Sequence, residues 1–348
     1  MKFEPVLDRP ALIATLHREY GFPVTSLTFV PEGMVGCHYI AGCEDGGRYF
    51  ATVLMESNHM ASAQIERLDF TLAMMSRLYE RGLFTAQPAI QCTLDGRRKA
   101  DFQGMPFVVY EYVDGRNLGG TWPYPSEVLV GLGRLTAQLH RATASIEIPV
   151  PYVEQFHLPF EFYLLQALAD LEQVPDDARP GLVELRDLVL PLRGTLLALL
   201  SRLHELAETA RALNPPRVLV HTDMTPLNLL RTPRGELYVV DWEGVMLAPA
   251  EHDLFLFAGE GFSTLLSAYA QAAGVPRLYP ELFEYYLYRR NLEDVAGFLV
   301  SVLHDSATAE EDRYQIDLLK EDCLTGWPSL ATSRDWAREQ LRAVGLPA

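Results

Sequence analysis

Lysine is almost missing from this chain. Of 348 residues only Lys2, Lys99 and Lys320 are lysines, and with arginine the basic total reaches 29 against 46 acidic residues, a net charge of −17. So acidic a surface repels nucleic acid overall, which excludes DNA or RNA as the main partner. It would attract a cationic small molecule, although generic acidic solubility explains the same charge. Cysteine is scarce as well. Cys37, Cys43, Cys92 and Cys323 have neither the spacing of a zinc site nor the density of a disulfide scaffold, and read as free thiols of a reducing compartment. No apolar run is long enough to span a bilayer, and the opening MKFEPVLDRP lacks the apolar segment of a signal peptide. A cytoplasmic location with no membrane partner is the expectation. What is present is 49% hydrophobic and 22% charged residues, enough to bury a sizeable core and to form two lobes.

The first third is rich in strands. A lead-in helix over 1–20 precedes strands at Val24–Val30, Cys37–Gly42 and Arg48–Met55, with turns at Pro31–Gly36 and Asp45–Gly47. Apolar residues then recur at helical spacing from Ala61 to Arg81, and Gly82 marks the stop. Pro88–Thr93 and Phe107–Tyr112 read as two more strands, before the break at Asp114-Gly115. Helices follow: Pro125–Thr143, Phe160–Leu171, Leu185–Leu213 with Pro191 as a kink or start, Leu254–Gly259, Phe262–Ala273, Tyr279–Leu303 and a terminal one within Thr325–Leu346.

The chemistry concentrates in His221–Glu243, HTDMTPLNLLRTPRGELYVVDWE. The apolar run Val218–Val220 ends in His221 and Asp223, with Asn228 five residues on. The run Leu237–Val240 ends in Asp241, and Thr232–Gly235 turns the chain between them. Two carboxylates and one amide therefore reach a common edge. Oxygen ligands of this kind suit a hard cation such as Mg²⁺, and an Asp five residues ahead of an Asn is free to face a substrate hydroxyl. The plain alternative is a surface turn with an Asx cap.

This stretch resembles the aminoglycoside phosphotransferase family, whose motif H-x-D-x-x-x-x-N, a strand and then I-D-W/F appears here as His221-Thr222-Asp223, Asn228 and Val240-Asp241-Trp242. The segment Pro249–Leu254 is similar to the family's P-x-E-x-D-L. The resemblance implies an α+β, bilobal protein-kinase-like fold: a small, mainly β N-terminal lobe over 1–113, a hinge at 111–115, and a larger, mainly helical lobe over 114–348. It implies that Asp223 is the catalytic aspartate, that Asn228 and Asp241 hold Mg²⁺, that His221 braces the loop, and that Asp253 and His140 support it. Gly33 and Gly36 would lie over the phosphates of ATP or GTP, unless they only turn a hairpin. Backbone groups of Glu111 to Val113 would read the adenine edge, unless the strand simply ends there.

One departure stands out. The family's strand lysine aligns with Thr52. Arg48 shares a strand face with Thr52, and either reaches the cleft or faces solvent. Glu66 falls where the family's helix carries the lysine's partner, and either pairs with Arg48 or has no special task. The leading expectation is a kinase acting on a hydroxyl of an aminoglycoside, an aminocyclitol such as spectinomycin, or another amino alcohol, as a monomer or homodimer. An antibiotic-resistance role follows from that branch. The alternatives are a metabolic sugar or choline-type kinase, and an inactive kinase-fold binding protein. Glu293, Asp294 and the acidic run Ala309–Asp317 are candidates for a cationic acceptor, with local salt bridges as the simpler reading.

Overall fold

The computed structural model describes residues 4–31, 36–55, 59–274, 276–306 and 308–347, with backbone alone at 59–61 and 63. In chain order the elements are α1 (Arg9–Thr15), β1 (Val24–Val30), β2 (Gly36–Cys43), β3 (Arg48–Leu54), α2 (His59–Glu80), β4 (Ala100–Phe102), β5 (Met105–Glu111), β6 (Arg116–Asn117) and α3 (Ser126–Ala142). Next come α4 (Phe160–Glu172), α5 (Pro180–Val189), α6 (Arg193–Leu213), β7 (Val218–Val220), β8 (Leu229–Arg231), β9 (Leu237–Val239) and β10 (Met246–Ala248). The chain closes with α7 (Glu251–Leu254), α8 (Phe262–Ala273), α9 (Pro280–Val300), α10 (Ala309–Leu318), α11 (Trp327–Leu330) and α12 (Ser333–Ala343). Two compact units result: Met1–Pro151 with His221–Met246, and Tyr152–Val220 with Leu247–Ala348.

In the first unit a five-stranded antiparallel sheet runs β1-β2-β3-β5-β4. Alternation sorts its faces. Tyr39, Ala41, Ala51, Val53, Phe107 and Val109 pack with Leu12, Leu16 and Tyr20 of the lead-in segment. Val108, between Phe107 and Val109, faces the other way and meets Leu68 and Leu72 of α2. Each such side chain contributes about 1.5–3 kcal/mol by leaving water, so the sheet is held from both faces and β3 is fixed in register. Asp8 caps α1 by accepting from Ala11 N–H at 3.0 Å, and Gly21, at φ 72°, ends the π turn that follows it.

The expected strand at 88–93 is reduced to a single bridge, Ile90 to Tyr110. Its backbone bonds to β5 are Gln91 N–H to Val109 O and Glu111 N–H to Ala89 O, both 2.8 Å, and Thr93 N–H turns instead to Arg97 O at 2.8 Å. The single terminal helix is also corrected: α11 covers four residues with Pro328 in its first turn, and α12 starts afresh at Ser333. Likewise α5 and α6 are separated by the turn Leu190–Leu192, which contains Pro191.

The second unit is helical around α9, whose Leu282, Phe283, Tyr285, Tyr286, Leu292, Val295 and Leu299 are buried. A buried ion pair, Arg289 to Glu154 at 2.6 Å, crosses its interior. Asp294 accepts from Arg290 at 2.9 Å and Asp312 is buried against Arg179 at 2.8 Å, so these acidic candidates are engaged in local ion pairs. Among the described residues no helix is long and apolar enough to cross a membrane.

Candidate active site

β7 ends at His221, which is fully buried and meets the Trp242 ring edge-on at 4.9 Å. Its Nδ1 accepts from Asp223 N–H at 3.3 Å, so His221 braces the loop. Thr222 passes through φ 79° and Asp241 through φ 65°. Such left-handed backbone costs a non-glycine residue about 1–3 kcal/mol and recurs at functional sites; Asp tolerates it better than most. Gly244 has a different task. A Cβ there would lie 2.0 Å from Thr222 Oγ1 and 3.0 Å from His221 O, so the turn after Asp241 rests directly on the turn before Asp223.

Asn228 closes the cluster. Its Nδ2 donates to Asp223 Oδ2 at 2.7 Å and to Asp223 O at 3.0 Å, and its own carbonyl accepts from Val240 N–H at 3.0 Å. Both amide protons are thus spent on Asp223, which orients that carboxylate and leaves Asn228 Oδ1 turned away from it. The sequence-expected trio Asp223, Asn228 and Asp241 is brought together at one edge, as the hairpin of β8 and β9 requires.

The electrostatics of this edge are one-sided. Asp241 retains solvent contact, yet the protein packed around it penalises its charge, and Asp223 adds to the rise in its pKa. Glu243, present in the sequence motif but without a role assigned from it, is raised by burial first and then by Asp241 and Asp223, with Arg67 opposing. Asp241 and Glu243, both raised, form with Asp223 an edge short of positive charge. The donor set is oxygen throughout, which fits Mg²⁺. Among the described residues no three of His, Cys, Asp and Glu converge at metal-holding spacing.

The sheet flank is different in kind. Thr52 is buried, and its Oγ1 lies 3.0 Å from Nδ1 of His38, its direct cross-strand neighbour. Burial pushes the His38 pKa down to about 4, so the ring is neutral at pH 7, stacked on Phe50 at 5.4 Å. A Cβ on Gly36 would come within 2.7 Å of His38 Cε1 and 2.9 Å of Thr52 Cγ2, so the glycine is what lets this pair sit beneath it. Gly33 lies outside the described residues. At Thr52 the chain has a neutral hydrogen-bonded pair. His38 could have been found only by knowing the register that sets it opposite Thr52.

Arg48 starts β3 and lies four residues from Thr52, about 13 Å along an extended strand. Its guanidinium stacks over Tyr112 at 4.2 Å and approaches Asp114 Oδ2 at 3.7 Å, which ties it to the segment after β5. Glu66 is exposed on α2, and among the described residues no ion pair includes it. At the end of β5, Glu111 N–H is taken by Ala89 O at 2.8 Å, and Val113 O accepts from Gly115 N–H at 2.9 Å. His140 and Asp253 are both buried, in keeping with structural roles.

Comparison with known proteins gives a consistent picture. The profile described as a phosphotransferase enzyme family (APH) matches residues 42–298. A spectinomycin phosphotransferase, APH(9)-Ia, solved with ADP and spectinomycin, is similar over 97% of this chain and 100% of its own, at 18% identity and a TM-score of 0.74. An aminoglycoside phosphotransferase from Alicyclobacillus acidocaldarius is similar over 98% of this chain and 97% of its own, at 17% identity and a TM-score of 0.61. The amicoumacin kinase hAmiN, solved with AMP-PNP, Ca²⁺ and Ami, is similar over 90% of this chain and 93% of its own, at 17% identity and a TM-score of 0.59. Among curated proteins none matches. At these identities the solved structures speak for the fold, a mixed α+β one of the kinase-like phosphotransferases. With the family profile spanning about three quarters of its length, the chain belongs to the phosphotransferase enzyme family.

Proposed function

We propose that this protein is a small-molecule kinase that transfers the γ-phosphate of ATP or GTP to a hydroxyl group. The observation that carries the reading is the Asp223–Asn228 contact at 2.7 Å beside the charge-deficient Asp241 edge. In this reading Asp223, aimed by Asn228, receives the acceptor's hydroxyl proton as the new O–P bond forms and the bond from the γ-phosphorus to the β-phosphate oxygen breaks, with the nucleoside diphosphate as leaving group. Asn228 Oδ1 and Asp241 would hold Mg²⁺, which would neutralise phosphate oxygens of the bound nucleotide; the chain's own work is positioning and electrostatics. The N-terminal lobe, 1–113, takes the nucleotide, with Gly33, Gly36 and Thr52 toward the phosphates. Val113 N–H faces the adenine, with Glu111 and Arg48 at the hinge. The lobe over 114–348 takes the acceptor.

An aminocyclitol or aminoglycoside is the acceptor class we favour, since the acidic chain suits a cation and the similar solved structures include kinases of such compounds. A cytoplasmic location goes with that role. The test is a panel of aminocyclitols, aminoglycosides, choline, ethanolamine and simple sugars incubated with ATP or GTP and Mg²⁺, read as a mass gain of one phosphoryl group. Gain on an amino-bearing acceptor is expected. No binding of Mg-nucleotide at millimolar concentration would sink the reading and favour a binding protein on this fold, for which the neutral His38–Thr52 pair is the specific support.

A further inference from the structure

The sheet flank has no cation at Thr52, but α2 carries one just past Glu66. Arg67 is half-buried, and its Nη2 donates to Val245 O at 2.8 Å. Val245 is fully buried and closes the turn that Asp241 opens: its N–H returns to Trp242 O at 3.0 Å. The Arg67 charge also acts on Glu243, inside the same turn. The helix therefore grips the Asp241 turn directly, 178 residues away in sequence. In protein kinases a strand lysine paired with a helix glutamate sets the helix in place. Here the two partners of that pair are otherwise disposed: Thr52 is satisfied by His38, and Glu66 faces solvent.

We propose that Arg67 is the positioning residue of this site, a latch from α2 to the 241–245 turn that fixes where the Asp241 carboxylate stands. Its role runs through the backbone of Val245, so it is separate from Asp241's own contact with a ligand. The consequence for metal binding rests on the kinase reading above; the latch itself does not.

The experiment compares the full chain with Arg67→Met and Arg67→Lys. The first readout is amide hydrogen exchange over 240–247 without ligand. The second is binding of Mn²⁺ in the presence of ADP, followed by electron paramagnetic resonance. Arg67→Met is expected to speed exchange at 241–246 but not in β1, β2 and β3. It should weaken Mn²⁺ binding about tenfold, the usual size for loss of a residue that orients a ligand. Arg67→Lys keeps the charge and a donor and should recover most of both. Parent-like exchange at 241–246 in Arg67→Met overturns the proposal, as does a lysine variant no better than methionine. If Arg67→Met loses its cooperative melt, Arg67→Gln, which keeps an N–H for Val245 O but no charge, decides by the same exchange measurement. A parent chain that binds no Mn²⁺ with ADP refutes the kinase reading, while the exchange arm still decides the latch.

Discussion

Two flanks of the first unit meet opposite fates in the same core. Along the loop of Asp223 and the turn that follows the β8–β9 hairpin, Asp241 and Glu243 crowd each other beside Asp223, and both are held toward their protonated forms. Along β2 and β3, Thr52 and His38 satisfy each other and carry no charge. The loop flank is incomplete by itself and calls for a cation. The sheet flank is complete by itself and calls for nothing. In the proposed reading, the attraction for phosphate would come mostly through a metal on the loop flank, with little direct pull from the sheet.

The strongest test of the loop flank is Asp223→Asn. It keeps the shape and the contact with Asn228 while removing the carboxylate. With an accepted substrate, kcat is expected to fall about 10²–10⁴-fold, the usual range for a positioned acid–base group, with the KM for nucleotide little changed. Turnover near that of the parent would strip this flank of its chemical role and erase the contrast.

Thr52→Lys would break the comparison from the other side, by putting charge where the sheet has none. The KM for nucleotide and the Mg²⁺ concentration for half-maximal rate are both expected to fall severalfold. Thermal stability should drop by about 1–3 kcal/mol, because the longer chain is forced into a packed position. If nucleotide and Mg²⁺ dependence both stay as in the parent, the neutral pair is not what limits phosphate binding.

The smallest effect, and the one that sharpens the contrast, is in stability against pH without ligand. His38 is lowered from 6.5 to about 4. Its contribution is therefore fully present above pH 6.5 and is lost as pH falls toward 4. Each tenfold change in proton affinity between the folded and unfolded chain is worth about 1.4 kcal/mol, so the loss is on the order of 3–4 kcal/mol. Glu243 is raised above 4.5, so its contribution is present below pH 4.5 and is lost as pH rises through its folded value. Melting curves in EDTA should show that His38→Gln flattens the acid limb of the profile and Glu243→Gln the alkaline limb. Variants that flatten neither limb, or the opposite one, would show that the two flanks do not differ in the sense argued here.

The loop flank was legible in the sequence because its logic is local. Asp223 and Asn228 share one loop, and Asp241 follows a strand short enough to bring it back beside them. The pairings of β1 with β2 and of β2 with β3 rest on hairpins, and alternation gave their faces; β3 meets β5 across α2, and β4 forms where the sequence suggested no strand. The sheet flank was legible only as a missing lysine. That His38 fills the gap depends on the pairing of β2 with β3, which no single strand reveals. Arg67 was hidden for a stronger reason: its partner is a backbone carbonyl, which has no side-chain signature at all. The strand expected at 88–93 shrinks to one bridge because Thr93 N–H is drawn into the turn to Arg97 O, a contact that an apolar run does not announce.

Gly244 lies against Thr222 with no room for one more carbon. The two residues belong to different turns, yet a side chain at 244 would need both a smaller residue at 222 and a shift of the His221 backbone oxygen. In a library of variants of this chain, position 244 is therefore not free to vary by itself. Designs that remodel the turn after Asp241 to accept another ligand must carry the turn before Asp223 with them.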